Sequence, residues 1–395
     1  MAADELSAIV VGGGIAGLAS AVSLAQAGWR VTVLERAPAF GEVGAGLAIT
    51  GNGMTALGAL GLAGAARAAG YQTSTAGIQD ARGRWLMRIP DRPGMSTTTT
   101  ICGLHRQRLH AVLRQAAESA AGIELVTGAA VTTVRPGAPG GELAAVTWAA
   151  GSQTCTMESQ LVVAADGVRS IVRSQLFPAV RARYSGSTSW RAVIADTRSD
   201  GRLIQAWGPE TEFGALRVSP GEFYWYGYFR HPEGAVFADE LAAARDRFAA
   251  WAPWVRDLVA ATPADRLIRH DVYRLSGPLP RYVSGRVALA GDAAHAALPT
   301  AGQGAATALE DGVCAGRLIA APVRAGAGLG AALTAFDRAR RPRCQQLVRT
   351  AEMIARIGSD LGPGRRQAVR NTLLRLAPAG PLVRAGAPIT RWTPP

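Results

Sequence analysis

No lysine occurs anywhere in the 395 residues, so the formal charge of +13 rests entirely on arginine. The arginines are scattered from Arg30 to Arg391 and form no basic stripe, which argues against a nucleic-acid footprint. A basic surface still favours anionic partners, dinucleotide phosphates and carboxylated substrates among them. Four cysteines, Cys102, Cys155, Cys314 and Cys344, stand without close pairing. Neither a disulfide framework nor a metal site is expected, and a reducing cytoplasm is the expected location. Asp4 and Glu5 precede a short apolar run with no basic region ahead of it, unlike a signal peptide. No uninterrupted apolar run reaches the roughly 18 residues of a membrane-spanning helix, so no membrane partner is expected. There is no internal repeat.

What is present can bury a large core. With 48% hydrophobic residues, the length suits one big domain or two intimately joined ones. The chain opens as strand, turn, helix, strand: SAIVV (7 to 11), GGGIAG (12 to 17), a helix to about Gln26 stopped by Gly28, then VTVLER. That unit demands a parallel sheet. Between Tyr184 and Arg230, the runs SWRAVIA, RLIQAW, FGALRV and FYWYGYF read as antiparallel strands. Helical patterns follow at about 238 to 260. A strand-like VALAG (287 to 291) then leads through a Gly-rich loop into a helix from about 303 to 320. Phe336 to Leu376 is Arg-rich and helical in pattern, expected as a solvated face packed on the domain, with a Pro/Gly-rich tail beyond.

Gly12, Gly14 and Gly17 form GxGxxG, with Ile15 and Ala16 inside it, between the first strand and its helix. The first glycine permits the turn, the second lets a pyrophosphate approach the backbone, and the third lets helix and strand pack closely. Amides at the helix start then face the phosphates, assisted by the dipole. Glu35 follows Gly17 at the end of the second strand, with Arg36 beside it; its carboxylate can accept hydrogen bonds from a ribose. A dinucleotide is implied, NAD or FAD.

Two later segments, LVVAADGVRSIVR (161 to 173) and GRVALAGDAAHAALPTAGQGAATALED (285 to 311), separate those alternatives. With GxGxxG and LHRQRL (104 to 109), they give the chain a pattern that resembles the single-component, class A FAD-dependent monooxygenases, the salicylate hydroxylase-like aromatic hydroxylases in particular. The resemblance runs from residue 8 to about 345 and ends in FDRARRPR. It implies an α/β protein: a Rossmann-like FAD-binding domain (1 to 180 and 270 to 345), an inserted antiparallel-sheet substrate domain (181 to 269, with parts of 70 to 100 contributing), and a C-terminal helical segment (346 to 395). It also implies FAD as cofactor, with NADH or NADPH as transient co-substrate. Oxygen would be delivered through a flavin hydroperoxide to hydroxylate or epoxidise a small aromatic or polycyclic substrate. An FAD oxidoreductase without oxygen insertion is the other enzymatic reading. Nucleic acid is not expected as a partner, and the chain is expected as a monomer or homodimer.

Residue by residue, the resemblance places Asp292 on the FAD ribityl chain, where a strand-end carboxylate can accept hydrogen bonds from a polyol. Pro299, Gly302, Gln303, Gly304 and Ala305 would form the loop and helix start under the flavin's pyrimidine edge, where a helix N-terminus suits the anionic reduced ring. Asp166 with Gly167 would serve FAD and the nicotinamide cofactor, or simply end a strand in a turn. Arg106 would reach the flavin side, Val131 would lie where backbone meets adenine, and Gly46 would line the same cofactor. A second full GxGxxG unit is absent, so the nicotinamide would bind without a Rossmann domain of its own.

On the substrate side, alternation along FYWYGYF sets Tyr224, Tyr226 and Tyr228 on one face, and Phe223, Trp225 and Gly227 on the other. Tyr226 and Thr300 are the substrate-side candidates, with Arg191 and Trp207 on neighbouring strands. Thr300 stands where the family commonly carries Asn, His or Asp, and Leu47 where some members are polar; both make the pocket more apolar. His295 in GDAAH is read as structural, and His105 has no stronger claim to a catalytic part.

Overall fold

The computed structural model describes residues 6–41, 44–90, 99–195 and 200–395. Asp4 and Glu5, and residues 91–98 of the 70–100 segment, lie outside them. The fold is mixed α/β, built on two large sheets. The first has six strands in the order Val283–Ser284, Val287–Leu289, Leu161–Ala164, Ser7–Val11, Arg30–Leu34 and Ile123–Val126. All its pairings are parallel except that of the first two. A parallel sheet is covered on its faces, and its strands read as unbroken apolar runs. Val10, Val33, Leu161, Val162, Val163 and Val287 are fully buried accordingly.

Helix Ile15–Gln26 crosses helix Gly304–Cys314 on this sheet. Small residues let the two touch: a Cβ added to Gly312 would lie 2.5 Å from that of Ala19. The expected helix to residue 320 is present, but its last stretch, Ala315–Ala320, is π-helical. A three-stranded antiparallel sheet, Ala129–Arg135, Ala144–Ala150 and Gln153–Ser159, lies alongside.

The second large sheet runs Ile268–Leu275, Ala182–Ala195, Glu222–Arg230, Thr211–Ser219, Leu203–Gly208, Tyr71–Asp80, Thr100–His105 and Gly46–Thr50, with Trp85–Arg88 paired to Tyr71–Asp80. The four strands read between Tyr184 and Arg230 are antiparallel, Leu203–Gly208, Thr211–Ser219 and Glu222–Arg230 as consecutive hairpins and Ala182–Ala195 returning to pair with Glu222–Arg230. Alternation sorts their side chains. Phe223, Trp225 and Phe229 enter an aromatic core with Phe248 and Trp251 of the helical region Glu240–Ala260. Tyr224, Tyr226 and Tyr228 occupy the opposite face.

The C-terminal part is helical, with two departures from expectation. The run from Phe336 to Leu376 breaks after Ile357 into helices Leu329–Ile357 and Arg365–Leu376. The Pro/Gly-rich tail also contains a helix, Ala379–Thr390. Pro381 is tolerated there because it falls in the first turn, where no amide needs an intrahelical acceptor. No helix among the described residues is long and apolar enough to cross a membrane.

Candidate active site

Three loops converge because three adjacent parallel strands end together: Ser7–Val11, Leu161–Ala164 and Val287–Leu289. Loops beyond the carboxyl ends of such strands are where open α/β sheets bind ligands. After the first strand, Gly12 takes φ +101°, and an added Cβ would sit 2.4 Å from the Ala165 carbonyl oxygen. Gly17 is tighter still, since its Cβ would come within 1.8 Å of the Gly12 carbonyl oxygen. The Gly13 amide donates to Glu35 Oε2 (2.8 Å), and His110 Nε2 lies 2.8 Å from the Gly13 carbonyl oxygen. Glu35 Oε1 accepts from the Ala37 amide at 2.8 Å. The expected ribose-binding carboxylate thus also braces the glycine loop. Gly14 caps the following helix without a side-chain hydrogen bond, leaving amides open to an anion. Arg36 is exposed, and Val131 lies on the strand that starts beside Glu35, where the Ala129 amide donates to the Glu35 carbonyl (2.8 Å).

After the second strand, Asp166 Oδ2 accepts from the amides of Ile171 (2.8 Å) and Val172 (3.2 Å), closing the turn and capping helix Ile171–Leu176. The turn-forming role weighed for this residue is therefore real. Its Oδ1 is buried and has no hydrogen-bond partner, and burial pushes the carboxyl pKa up. Arg173, which the sequence did not single out, is buried and reaches the carbonyl oxygens of Val168 (2.5 Å), Ala293 (3.1 Å) and Asp292 (3.5 Å). It ties the second loop to the third.

In the third loop, Gly291 presses on the first helix, its added Cβ falling 2.7 Å from that of Ala16. Asp292 follows, exposed at the start of the turn Asp292–His295. Farther on, Pro299–Ala301 forms a 3-10 turn and Gly302 is left-handed at φ +62°. Gln303 caps helix Gly304–Cys314 without a side-chain bond to its amides. Gly302 and Gly304 have open space where a side chain would be, and Ala305 is half-buried behind them.

A buried ionic network fixes these loops from behind. Asp311 Oδ2 accepts from the Gly291 amide (2.7 Å) and pairs with His295 Nε2 (2.6 Å). Asp311 Oδ1 and Glu310 Oε2 each lie 2.7 Å from the Arg340 guanidinium. Glu310 also pairs with Arg343 (2.6 Å) and accepts from Asn52 (2.7 Å), whose amide in turn reaches Gln303 (3.0 Å). Burial opposes charge on Asp311, but His295 and Arg340 outweigh it and hold the carboxyl well below its usual range. For His295 burial likewise opposes the cation, and Cys344 and Asp311 raise it well above the ordinary imidazole value. His295, Asp311 and Cys344 come within 4.8 Å of one another. A metal ion there would displace Asp311's existing bonds and face the Arg340 cation, so the cluster is read as structural. His105 accepts from the Gln107 amide at the start of helix Arg106–Glu118.

The tyrosine face borders these loops. A Cβ on Gly46 would lie 2.2 Å from the Tyr224 ring, and Tyr228 packs with Leu298, Ala297 and Ala301. The Arg106 amide is bonded to the Ala45 carbonyl (2.8 Å), one residue before Gly46. Across the sheet Tyr226 stands between Arg191 and Gly214. Its hydroxyl donates to Glu212 Oε1 (2.7 Å), and Gln205 Nε2 donates to that oxygen (2.8 Å) and to the tyrosine oxygen (2.9 Å). Glu212 is 1% exposed, Oε2 has no partner, and burial pushes its pKa up to about 7. Trp207, opposite Glu212 on the next strand, keeps its buried Nε1 unpartnered as well.

Thr300 departs from expectation. Its hydroxyl donates to the Ala351 carbonyl of the long C-terminal helix (2.6 Å), so its hydrogen is committed to packing. Glu212 was missed in the sequence, where PETEFG carries no motif; its signal is the adjacent tyrosine strand, where Tyr228 stands opposite it and Tyr226 two residues along.

Residues 5–351 match the family model of the FAD binding domain. The aurachin C monooxygenase/isomerase of Stigmatella aurantiaca is 34% identical over 357 residues, covering 89% of this chain and 90% of that one. A 2-heptyl-3-hydroxy-4(1H)-quinolone synthase of Pseudomonas aeruginosa is 30% identical over 381 residues, covering 94% of each. Among solved structures, Klebsiella pneumoniae HpxO complexed with FAD and uric acid aligns at TM-score 0.84 and 25% identity, covering 98% of this chain and 97% of that one. A salicylate hydroxylase substrate complex aligns at TM-score 0.75 and 20% identity, covering 99% and 98%, a likeness of fold.

Proposed function

Since the chain belongs to the FAD binding domain family, we propose that it is an FAD-dependent monooxygenase that uses NADH or NADPH and O2 on a nitrogen-containing aromatic ring. The observation that carries this is the convergence of three strand-end loops, with two uncapped helix N-termini, beside a face of tyrosines. The residues fit the cofactor. The glycine-loop amides suit its pyrophosphate, Glu35 a ribose, and the Val131 strand the adenine. Asp292 and the orphaned Asp166 Oδ1 can accept from its hydroxyls, while Arg106 and the helix start at Gly304 suit negative charge on the ring. Bound there, FAD would supply reduction by the nicotinamide and activation of O2. We assign residues 1–180 and 270–345 to the cofactor layer, 181–269 with parts of 70–100 to the substrate layer, and 346–395 to a C-terminal helical segment, in a cytoplasmic monomer or homodimer.

The chain's own residues would orient the ring and move its proton. A ring N–H or O–H against Tyr226 can pass its proton to the phenol oxygen while the phenol proton moves to Glu212 Oε1. The ring is then more electron-rich and more readily oxygenated. Quinolone and urate, named for the relatives above and for a Klebsiella pneumoniae urate hydroxylase 30% identical over 351 residues, both offer such a proton. Glu212 must be ionised to accept it, so turnover rises with pH through about 7.

Purified protein reconstituted with FAD is expected to oxidise NADH or NADPH faster when 2-heptyl-4(1H)-quinolone is added, and to place label from 18O2 in the product. Unlabelled product would sink the monooxygenase reading. Tyr226→Phe and Glu212→Gln should each lower kcat by about a hundredfold and flatten the rise near pH 7.

A further inference from the structure

The expectation of no membrane partner came from the absence of a spanning segment, which bears on crossing a bilayer and not on lying against one. Among the described residues eight large apolar side chains are exposed, and five of them belong to two consecutive helices. Met353 and Ile357 lie on the end of Leu329–Ile357, and Val369, Leu373 and Leu376 on Arg365–Leu376, between 44% and 77% exposed. Spacings of four and then three put the last three on one stripe of their helix.

The stripe is an outward face of a docked helix. On the inward side Leu374 packs with Ile354 and Trp207, and Arg370 bonds the Ile357 carbonyl (2.6 Å) with its guanidinium 5.3 Å from the Trp207 ring. Arg375 pairs with Asp80 at 2.8 Å. The helix therefore has its own core contacts, and the exposed leucines are surplus to them.

Arg349, Arg356, Arg365 and Arg366 are exposed on the same two helices. From residue 346 onward the sequence has eight arginines and only two acids, Glu352 and Asp360. Glu352 is engaged by Arg274 (3.0 Å), and Asp360 is half-buried. Apolar side chains rimmed by cations and free of exposed carboxylates are the signature of a helix that lies in a lipid interface. A second copy of the chain suits the face less well. A two-fold contact would set this arginine rim against itself, on a protein already carrying +13.

We propose that the helix pair Leu329–Ile357 and Arg365–Leu376 docks the protein on an anionic phospholipid surface, with Val369, Leu373 and Leu376 entering the acyl boundary and the arginines meeting the headgroups. The inward side of the same helix packs on Trp207, next to Glu212 on the substrate sheet. Docking would set the substrate sheet one helix away from a bilayer that holds a ring substrate carrying a hydrocarbon tail.

Co-sedimentation of the FAD-loaded full chain with phosphatidylcholine vesicles, with and without added phosphatidylglycerol, tests this. Partitioning should rise at least about tenfold with the anionic lipid and fall as salt is added. Arg365→Glu with Arg366→Glu should lower it by at least about tenfold. Leu373→Asp with Leu376→Asp should abolish it, with flavin absorbance intact because both positions are exposed. Equal sedimentation of wild type and both double variants, or none on anionic vesicles, overturns the proposal. A light-scattering dimer mass for the wild type that becomes monomeric in Leu373→Asp with Leu376→Asp, without vesicle binding, assigns the face to self-association instead.

Discussion

The ionic frame behind the cofactor loops and the tyrosine sheet treat buried polar groups in opposite ways. Behind the three loops, Glu310, Asp311, Arg340 and His295 are all buried, and each is matched by a partner within 2.7 Å. On the tyrosine sheet, Glu212 Oε2 and Trp207 Nε1 are as deeply buried yet unmatched. An unpaired buried polar atom costs about 1–3 kcal/mol, so the sheet gives up stability that the frame retains. The difference separates a scaffold set before any ligand arrives from a surface whose polar atoms are kept for one.

Substitutions in the frame should then cost folding, and those in the sheet should cost only function. Gly17→Ala should have the largest effect. Its Cβ has no room beside the Gly12 carbonyl, and loss of more than about 3 kcal/mol, with loss of flavin absorbance, is expected; a yellow protein of unchanged melting temperature would refute the rigid frame. Arg340→Met removes the cation shared by two buried carboxylates, leaving only Arg343 to Glu310 and His295 to Asp311, and a fall of about 3–5 kcal/mol is expected from urea unfolding.

Glu212→Gln should run the other way. In the unfolded chain this carboxyl ionises near its ordinary value, in the folded chain near 7. The folded state holds its proton longer, so wild-type stability declines as pH rises between those values and levels off above about 7. Removing the group should stabilise the protein by about 3 kcal/mol at pH 8 and by nothing near pH 4, read from urea midpoints at both. A destabilised variant at pH 8 would erase the contrast between the two regions. The smallest effect is expected for Thr300→Val, about 1 kcal/mol for its bond to Ala351, with little change in turnover.

Local chemistry was readable in advance. Gly12, Gly17 and Glu35 declare themselves by spacing, and alternation alone sorts Tyr224, Tyr226 and Tyr228 from Phe223 and Trp225. The family resemblance carried Asp166, Asp292 and the loop at Gly302. What stayed hidden depends on partners distant in sequence. Arg340 meets Glu310 and Asp311 from about one helix away, Arg173 joins two loops through carbonyls that leave no mark in a sequence, and Glu212 becomes unusual only once burial removes its water. Thr300 has a side chain suited to a pocket, and only the packing of the long helix shows its hydrogen bond going to Ala351.

The strand order has a consequence for how the protein is made. Ser7–Val11 pairs with Leu161–Ala164, which pairs with Val287–Leu289, so the site's three loops come from stretches of chain synthesised far apart in time. Loop closure over such separations is slow, whereas the hairpins between Leu203 and Arg230 join near neighbours. During synthesis Ser7–Val11 can pair with Arg30–Leu34 and Leu161–Ala164 before the tyrosine strands emerge, and Val287–Leu289 comes last. The pocket would lack its third loop until then, and the flavin could enter only as the last third of the chain leaves the ribosome.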